Sequence, residues 1–280
     1  VVGDPMQIEP VVVLPESLTA AICRHFKVDA GRFNAPGASV QTLADAATPY
    51  MAEFHGKHGS RTVGVPLLVH RRCAQPMFGI SNAVAYDRLM VDAKQPAASR
   101  IGEVLGRSTW IDVCGGAAGK WCPEEGQQVL ALLQRLAAAQ RADGARGAAS
   151  AVGPDLYIVS PFVEVAENLR RLVRESGVLA AWSQDGWRWT AQRIGTVHTV
   201  QGREAEAVIF VLGAPAATQA GARGWAGGRP NLLNVAVTRA KERLYVVGNR
   251  RLWREAGLFA DVDRQLGDAL PPWTPRPKGP

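Results

Sequence analysis

The sequence is poor in cysteine and has no long apolar run. Cys23, Cys73, Cys114 and Cys122 are the four cysteines in 280 residues. They are too few and too unevenly spaced for a disulfide framework or for paired C-x-x-C zinc ligands, so they read as reduced core thiols. No window approaches the roughly 18 uninterrupted apolar residues of a spanning helix. No basic stretch followed by an apolar run and a small-residue cleavage site opens the chain. A membrane partner and export are therefore not expected, and a cytoplasmic setting is the default. The phosphate-cradling pattern G-x-x-x-x-G-K-[ST] is missing as well. Gly115-Gly116-Ala117-Ala118-Gly119-Lys120-Trp121 has the wrong glycine spacing and a tryptophan where a hydroxyl is needed. No internal repeat is present.

At 47% hydrophobic and 20% charged residues, the chain has enough apolar content for one sizeable core, which excludes a disordered polymer. Val rather than Met stands first, and the first motif begins at Gly3, so the chain is expected to be a piece of something longer. The formal net charge is +7, and its distribution is informative. Arg223, Arg229, Arg239, Lys241, Arg243, Arg250, Arg251 and Arg254 are opposed in their stretch only by Glu242. The local excess thus equals that of the whole chain, and it points either to a polyanion-binding surface or to a solvated basic face.

Short β-branched runs alternate with amphipathic stretches, the pattern of a mostly parallel sheet covered by helices on both faces. Strands are expected at 109–114, 156–160, 193–198, 207–212 and 244–248. Helices are expected at 16–26, 76–89, 123–141, 163–176, 232–241 and 250–255, with Pro123 suited to a first helical turn. Residues 142–153 and 213–230 read as loops and the proline-rich 271–280 as a flexible tail. Residues 17–64 read as a linker or insertion. Asp185-Gly186, among Trp182, Trp187, Arg188 and Trp189, reads as a hairpin turn whose tryptophans either stack on bases or pack on the sheet.

Four segments carry chemistry. Val1-Val2-Gly3-Asp4-Pro5-Met6-Gln7 is an apolar strand ending in a tight turn with an acid and an amide at its tip, residues suited to a phosphate, its metal or its attacking water. Leu67-Leu68-Val69-His70-Arg71-Arg72 ends an apolar run in two guanidinium groups, whose fixed forks match phosphoryl oxygens. Thr196-Val197-His198-Thr199-Val200-Gln201-Gly202-Arg203-Glu204 joins two strands through a polar loop with one glycine. Leu233-Asn234-Val235-Ala236-Val237-Thr238-Arg239-Ala240-Lys241 is an apolar helix carrying an arginine, which is costly to bury without an anionic partner.

In wording, order and spacing these segments resemble motifs III, IV, V and VI of superfamily 1 helicases, and most closely the 1B branch with its C-terminal AAA-type motor domain. The resemblance implies an α/β RecA-like fold of the P-loop NTPase class, a second motor domain lacking the P-loop domain. It divides the chain into the end of a first RecA-like domain (1–16), the linker or insertion (17–64), the second domain (65–270) and the tail (271–280). It implies ATP and Mg²⁺ as cofactors, bound mainly by the absent first domain. It implies single-stranded nucleic acid as partner, with DNA favoured over RNA, together with the N-terminal RecA-like domain of the same parent.

By the same resemblance Gln7 senses the γ-phosphate, Asp4 holds the turn or the metal's water, and Arg72 and Arg239 are arginine fingers. Arg71 is the alternative to Arg72, because His70-Arg71-Arg72 stands where many relatives have Gln-Tyr-Arg. Gly202 and Glu204 contact the γ-phosphate and ribose side, and Thr196 and His198 face the nucleic-acid backbone. Arg250 and Arg251 are candidate phosphate contacts from the basic stretch. Ser160-Pro161-Phe162 resembles the branch's Thr-Pro-Tyr element, making Phe162 either an adenine-stacking ring or a core phenylalanine. Glu206 stands where many relatives carry Asp. The fragment alone is expected to be inactive, and a non-hydrolysing binding module or part of a fused helicase-nuclease is the alternative reading.

Overall fold

Apolar runs of a few β-branched residues satisfy both of their faces only inside a covered sheet, and five such runs form the centre of this molecule. The computed structural model describes residues 3–4, 6–8, 12–34, 38–56, 59–95, 97–145, 153–182 and 185–267. The chain begins with α1 (Glu16–His25), α2 (Ala30–Phe33), α3 (Val40–Ala47), β1 (Ala52–Gly56), β2 (Gly59–Val63), β3 (Val69–His70), α4 (Met77–Ala85) and β4 (Val91–Asp92). It continues with α5 (Arg100–Leu105), β5 (Thr109–Asp112), α6 (Pro123–Ala145), β6 (Leu156–Ser160), α7 (Val163–Glu175), α8 (Gly186–Arg193), β7 (Ile194–Thr196) and β8 (Ala205–Val211). It closes with α9 (Ala220–Gly227), α10 (Pro230–Thr238), β9 (Ala240–Gly248), α11 (Arg250–Trp253) and α12 (Phe259–Leu266).

The central sheet has the order β5-β9-β8-β6-β7, and all its pairings are parallel. Parallel neighbours need crossover connections. Successive strands step one way from β5 through β6 to β7 and back through β8 to β9, so right-handed crossovers distribute the helices over both faces. The packing agrees: α6 lies against α7, and α4 lies against α10 and α12. The expected α/β architecture with a mostly parallel sheet is therefore what the chain adopts. Trp110, Phe210, Tyr245, Trp253 and Phe259 fill the core. The indole N–H of Trp110 donates to the Gly248 carbonyl at 3.0 Å and that of Trp253 to the Gly213 carbonyl at 2.9 Å, so neither ring buries an unpaired donor.

The departures from expectation have local causes. Residues 17–64 hold three helical segments and the antiparallel β1–β2 hairpin, outside the central sheet. Asp185 and Gly186 do not make a hairpin: the Asp185 side chain accepts from the Arg188 N–H at 2.9 Å and caps α8. The 213–230 segment contains α9, whose glycines disfavour a helix. Arg223 holds it in place by donating to the carbonyls of Ala214, Ala216 and Ala217 at 2.7, 2.6 and 3.2 Å. Helix α6 runs on to Ala145 through the start of the expected 142–153 loop. Residues 146–152, the 271–280 tail and the opening Val1-Val2 lie outside the described residues. Of the expected core thiols, Cys73 and Cys122 are buried, and desolvation pushes both up to about 12. Cys23 is half-buried and Cys114 exposed, so the core reading holds for two of the four.

One carboxyl is sealed inside the fold. Glu125, in the first turn of α6, is 0% exposed and accepts from the Gly213 N–H at 2.8 Å. Burial pushes its pKa up to about 8 from 4.5. The native state thus keeps a proton that the unfolded chain releases. The contribution is full below pH 4.5 and is lost as the pH rises toward about 8. Urea midpoints followed from about pH 5 to about pH 9 should fall steadily, and Glu125→Gln, which cannot ionise, should flatten the dependence. A variant that keeps the wild-type slope would contradict this assignment.

Candidate functional site

The first motif is a turn fastened to two helices. The Asp4 carboxylate accepts from its own Met6 N–H at 2.9 Å, and the Gln7 N–H donates to the Asp4 carbonyl at 3.2 Å. The hydroxyl of Tyr86, just past α4, donates to the other Asp4 oxygen. From α10 the Asn234 amide donates to the Met6 carbonyl at 2.8 Å and to the Tyr86 oxygen at 3.0 Å, while its carbonyl accepts from Ser81 at 2.7 Å. Asn234 is 1% exposed, so a buried amide with all these partners ties the opening turn to α4 and α10. Sequence reasoning does not single out Asn234 and Tyr86 as site residues. The available signal is a lone amide on an otherwise apolar helix, which needs buried partners.

Beside this turn lies a cavity of about 550 Å³ lined by Asp4, Gln7, His70, Arg71, Arg72, Lys94, Glu204, Thr238 and Lys241, among others. Four cations face two carboxylates there, so the hollow is suited to an anion. Arg72 Nε lies 3.2 Å from one Glu204 oxygen and Lys241 Nζ 3.9 Å from the other. Lys94 is paired with Glu242 at 2.7 Å. His70 Nε2 accepts from the Cys73 N–H at 2.9 Å, which requires the neutral ring. Burial and then the Arg72 charge hold its pKa below the ordinary value, against the opposing pull of Asp92.

Arg239 is not in the lining. It follows α10 and is 3% exposed. It donates through Nη1 to the Arg203 carbonyl at 2.9 Å, through Nε to the Val235 carbonyl at 3.2 Å and through Nη2 to the Thr238 hydroxyl at 3.3 Å. Burial first, and then Arg72, lower its pKa. Its donors thus meet two carbonyl oxygens and a hydroxyl. Its own carbonyl accepts from the Ala205 N–H at 2.9 Å, so Arg239 clamps the backbone on both sides of Glu204. Gly202 sits two residues earlier at φ +79°, a left-handed conformation that explains glycine there.

The remaining expected residues sit elsewhere. Glu204 precedes β8 and Lys241 is the second residue of β9, so the cavity opens at the amino ends of these strands. Thr196 ends β7, level with the far end of β8. At about 3.3 Å per residue this places it roughly 20 Å away along the strands. Thr196 is half-buried, and His198 is exposed in the turn Val197–Val200. Phe162, expected as either an adenine-stacking ring or a core phenylalanine, lies at this carboxyl end too. It is 7% exposed, with ring centroids 6.1 Å from Trp225 and 6.4 Å from Trp253, the core alternative. Arg250 is likewise engaged: its side chain pairs with Asp263 and donates to the Gly267 carbonyl at 2.7 Å. Arg251 and Arg254 are exposed.

Part of the basic stretch therefore works inside the fold. Arg223, Arg239 and Arg250 are engaged there, whereas Arg229 is exposed and lies 5.0 Å over the exposed Trp225 ring. Glu206 serves the fold as well, accepting from Ser99 at 2.7 Å and the Ile101 N–H at 2.8 Å and so capping α5. The Gly115–Trp121 decoy is also structural, with the Lys120 N–H donating to Glu164 at 3.1 Å and its carbonyl accepting from Ala214 at 2.8 Å.

No curated protein matches the chain. Among solved structures the chain is similar to the C-terminal domain of a possible DNA helicase from Lactobacillus plantarum WCFS1, at 12% identity and a TM-score of 0.37, covering 70% of this chain and 96% of that one. A known family matches as well: residues 72–251, which include Arg72, Glu204, Arg239 and Lys241, match the AAA domain. With well over half of its length in that match, the chain belongs to the AAA domain family.

Proposed function

We propose that the chain is the second motor domain of an ATP-dependent superfamily 1 helicase or translocase of the 1B kind, acting on single-stranded nucleic acid, with DNA favoured over RNA. One observation carries this reading. Asp4 and Gln7, Arg72, Glu204, and Thr238 with Lys241 come from four distant segments and line one cation-rich cavity. A hollow of that size and charge fits the phosphate end of a nucleotide. It does not fit the metal equally well, because Asp4 is held by Tyr86 and Met6 and Glu204 by Arg72. Mg²⁺ and the phosphate cradle therefore belong to a partner RecA-like domain across the cleft.

Bound ATP supplies a phosphoryl group whose transfer to water drives the motor. Arg72 reaches into the cavity to meet developing phosphoryl charge. Gln7 stands at the same cavity on a turn that Tyr86 and Asn234 hold in place. Arg239 acts from beneath by fixing the Glu204 backbone. Thr196, His198 and Arg251 at the carboxyl ends of the strands form the strand-facing side, remote from the nucleotide. Arg250 leaves this set because Asp263 engages it.

The 280-residue chain should bind a labelled single strand with affinity falling by a slope of roughly −0.7 per neutralised phosphate as salt rises, and with little dependence on base order. It should not turn over ATP. Fluorescence titrations across a salt series and a coupled phosphate assay test both points. Strand-stimulated turnover by the chain alone, or no strand binding at low salt, would contradict the proposal.

A further inference from the structure

A large aromatic ring is left open to solvent at the carboxyl ends of the strands. Trp225, on α9, is 41% exposed. Its ring lies 6.1 Å from that of the buried Phe162 and is tilted 31° to it, and the guanidinium of the exposed Arg229 lies 5.0 Å from its centroid. Lys120 Nζ lies 5.6 Å from the Phe162 ring. Two aromatic rings thus stand together with a cation at each, a combination suited to stacked bases and their phosphates. Phe162 comes two residues after Ser160, which pairs with Thr196, so the rings adjoin the side proposed to face a strand.

Helix α9 presents this ring against its own propensity. Three of its eight residues are glycines, which disfavour a helix. Gly227 has a packing reason, because a β-carbon there would strike the Ala256 carbonyl, whereas at Gly221 and Gly224 a β-carbon would meet nothing. Gly221 precedes Trp225 by four residues and so lies on the same helix face, which leaves bare backbone beside the ring where a flat ligand can approach. Trp187 provides a contrast. It is 72% exposed, but Arg174 lies 3.7 Å from its ring centroid, in stacking contact. At 5.0 Å Arg229 makes a looser contact with Trp225, so a base can take its place and the freed guanidinium can meet the adjoining phosphate.

We infer that Trp225 is a base-stacking platform for single-stranded nucleic acid and that Arg229 is the phosphate contact beside it. This rests on the strand-binding part of the proposed function and gives it a specific site on α9. Stacking accepts any base, so the site agrees with binding that is indifferent to base order.

Fluorescence anisotropy with the 280-residue chain at low salt tests this, using a labelled oligothymidine and an abasic strand of the same length. Trp225→Leu keeps apolar bulk against Phe162 but loses the flat face. It should weaken oligothymidine binding about tenfold and abasic binding by less than about twofold, with the salt slope unchanged because no charge is lost. Trp225→Phe should recover most of the loss, and Arg229→Ala should flatten the slope by roughly 0.7. Trp187→Ala should leave both affinities unaltered, and circular dichroism verifies folding of each variant. Equal losses for the two strands in Trp225→Leu, no loss for either, or a matching loss in Trp187→Ala would overturn the inference while strand binding itself stands. Wild type that binds neither strand would overturn both the inference and the strand-binding reading. Trp225-dependent binding without strand-stimulated hydrolysis by the full-length polypeptide would overturn the motor reading alone.

Discussion

On the proposed motor reading, Arg72→Ala in the full-length polypeptide is expected to lower kcat for ATP hydrolysis by about 10³-fold or more, with strand affinity changed less than about threefold. The guanidinium lines the cavity with its side chain 43% exposed. Its ion pair with Glu204 is therefore worth at most about 1 kcal/mol to the fold. The substitution should leave folding nearly intact and remove charge stabilisation from the reaction. The residues proposed to face the strand, at the other ends of the β-strands, lie roughly 20 Å away, so they should not register the change. Steady-state hydrolysis with saturating single strand, beside a binding titration, measures both quantities. A kcat within about threefold of wild type would show that Arg72 does not meet the phosphoryl group. Arg71→Ala, in the same lining, tests the register.

Arg239→Ala should have a different profile, losing stability as well as activity. Removing the guanidinium leaves the Arg203 carbonyl without its Arg239 donor, opens a void and frees the loop on the amino side of Glu204. A loss of about 2–4 kcal/mol follows from two buried hydrogen bonds, a third that is part-buried, and the missing volume. Urea unfolding of the 280-residue chain reads it directly. In the full-length protein kcat should also fall, because the clamp on the loop proposed to face phosphate is lost. An Arg239→Ala variant as stable as wild type but catalytically dead would instead describe an arginine that leaves its carbonyls and acts as a finger.

The contrast between these arginines illustrates what a sequence discloses. The five sheet strands were legible because buried parallel strands must be short, apolar and β-branched, and 156–160 matches β6 to the residue. Helix α9 was not legible, since its glycines oppose a helix and the compensation comes from Arg223 reaching carbonyls outside it. Burial of Arg239 was hidden for a related reason: a sequence shows a cation and not the carbonyl oxygens that can surround it. The same holds for Arg250, whose partner Asp263 lies on another helix. The segments of the cavity were visible as residue types in order. Their division between the two ends of the sheet, with Glu204 and Lys241 at one and Thr196 and Phe162 at the other, depends on strand register. Asn234 looked like an interruption of an apolar helix, and its three partners across the fold make it a junction.

The central claim is that this chain completes a nucleotide site whose cradle lies on a second domain and whose hydrolysis responds to a bound strand. The most direct measurement is the ATP hydrolysis rate of the full-length polypeptide with and without single-stranded DNA, for wild type and Arg72→Ala. The account predicts strand-stimulated turnover by wild type, about tenfold or more, and collapse of that turnover in the variant. Hydrolysis indifferent both to the strand and to Arg72, or no hydrolysis by a full-length protein that still binds the strand, would contradict it.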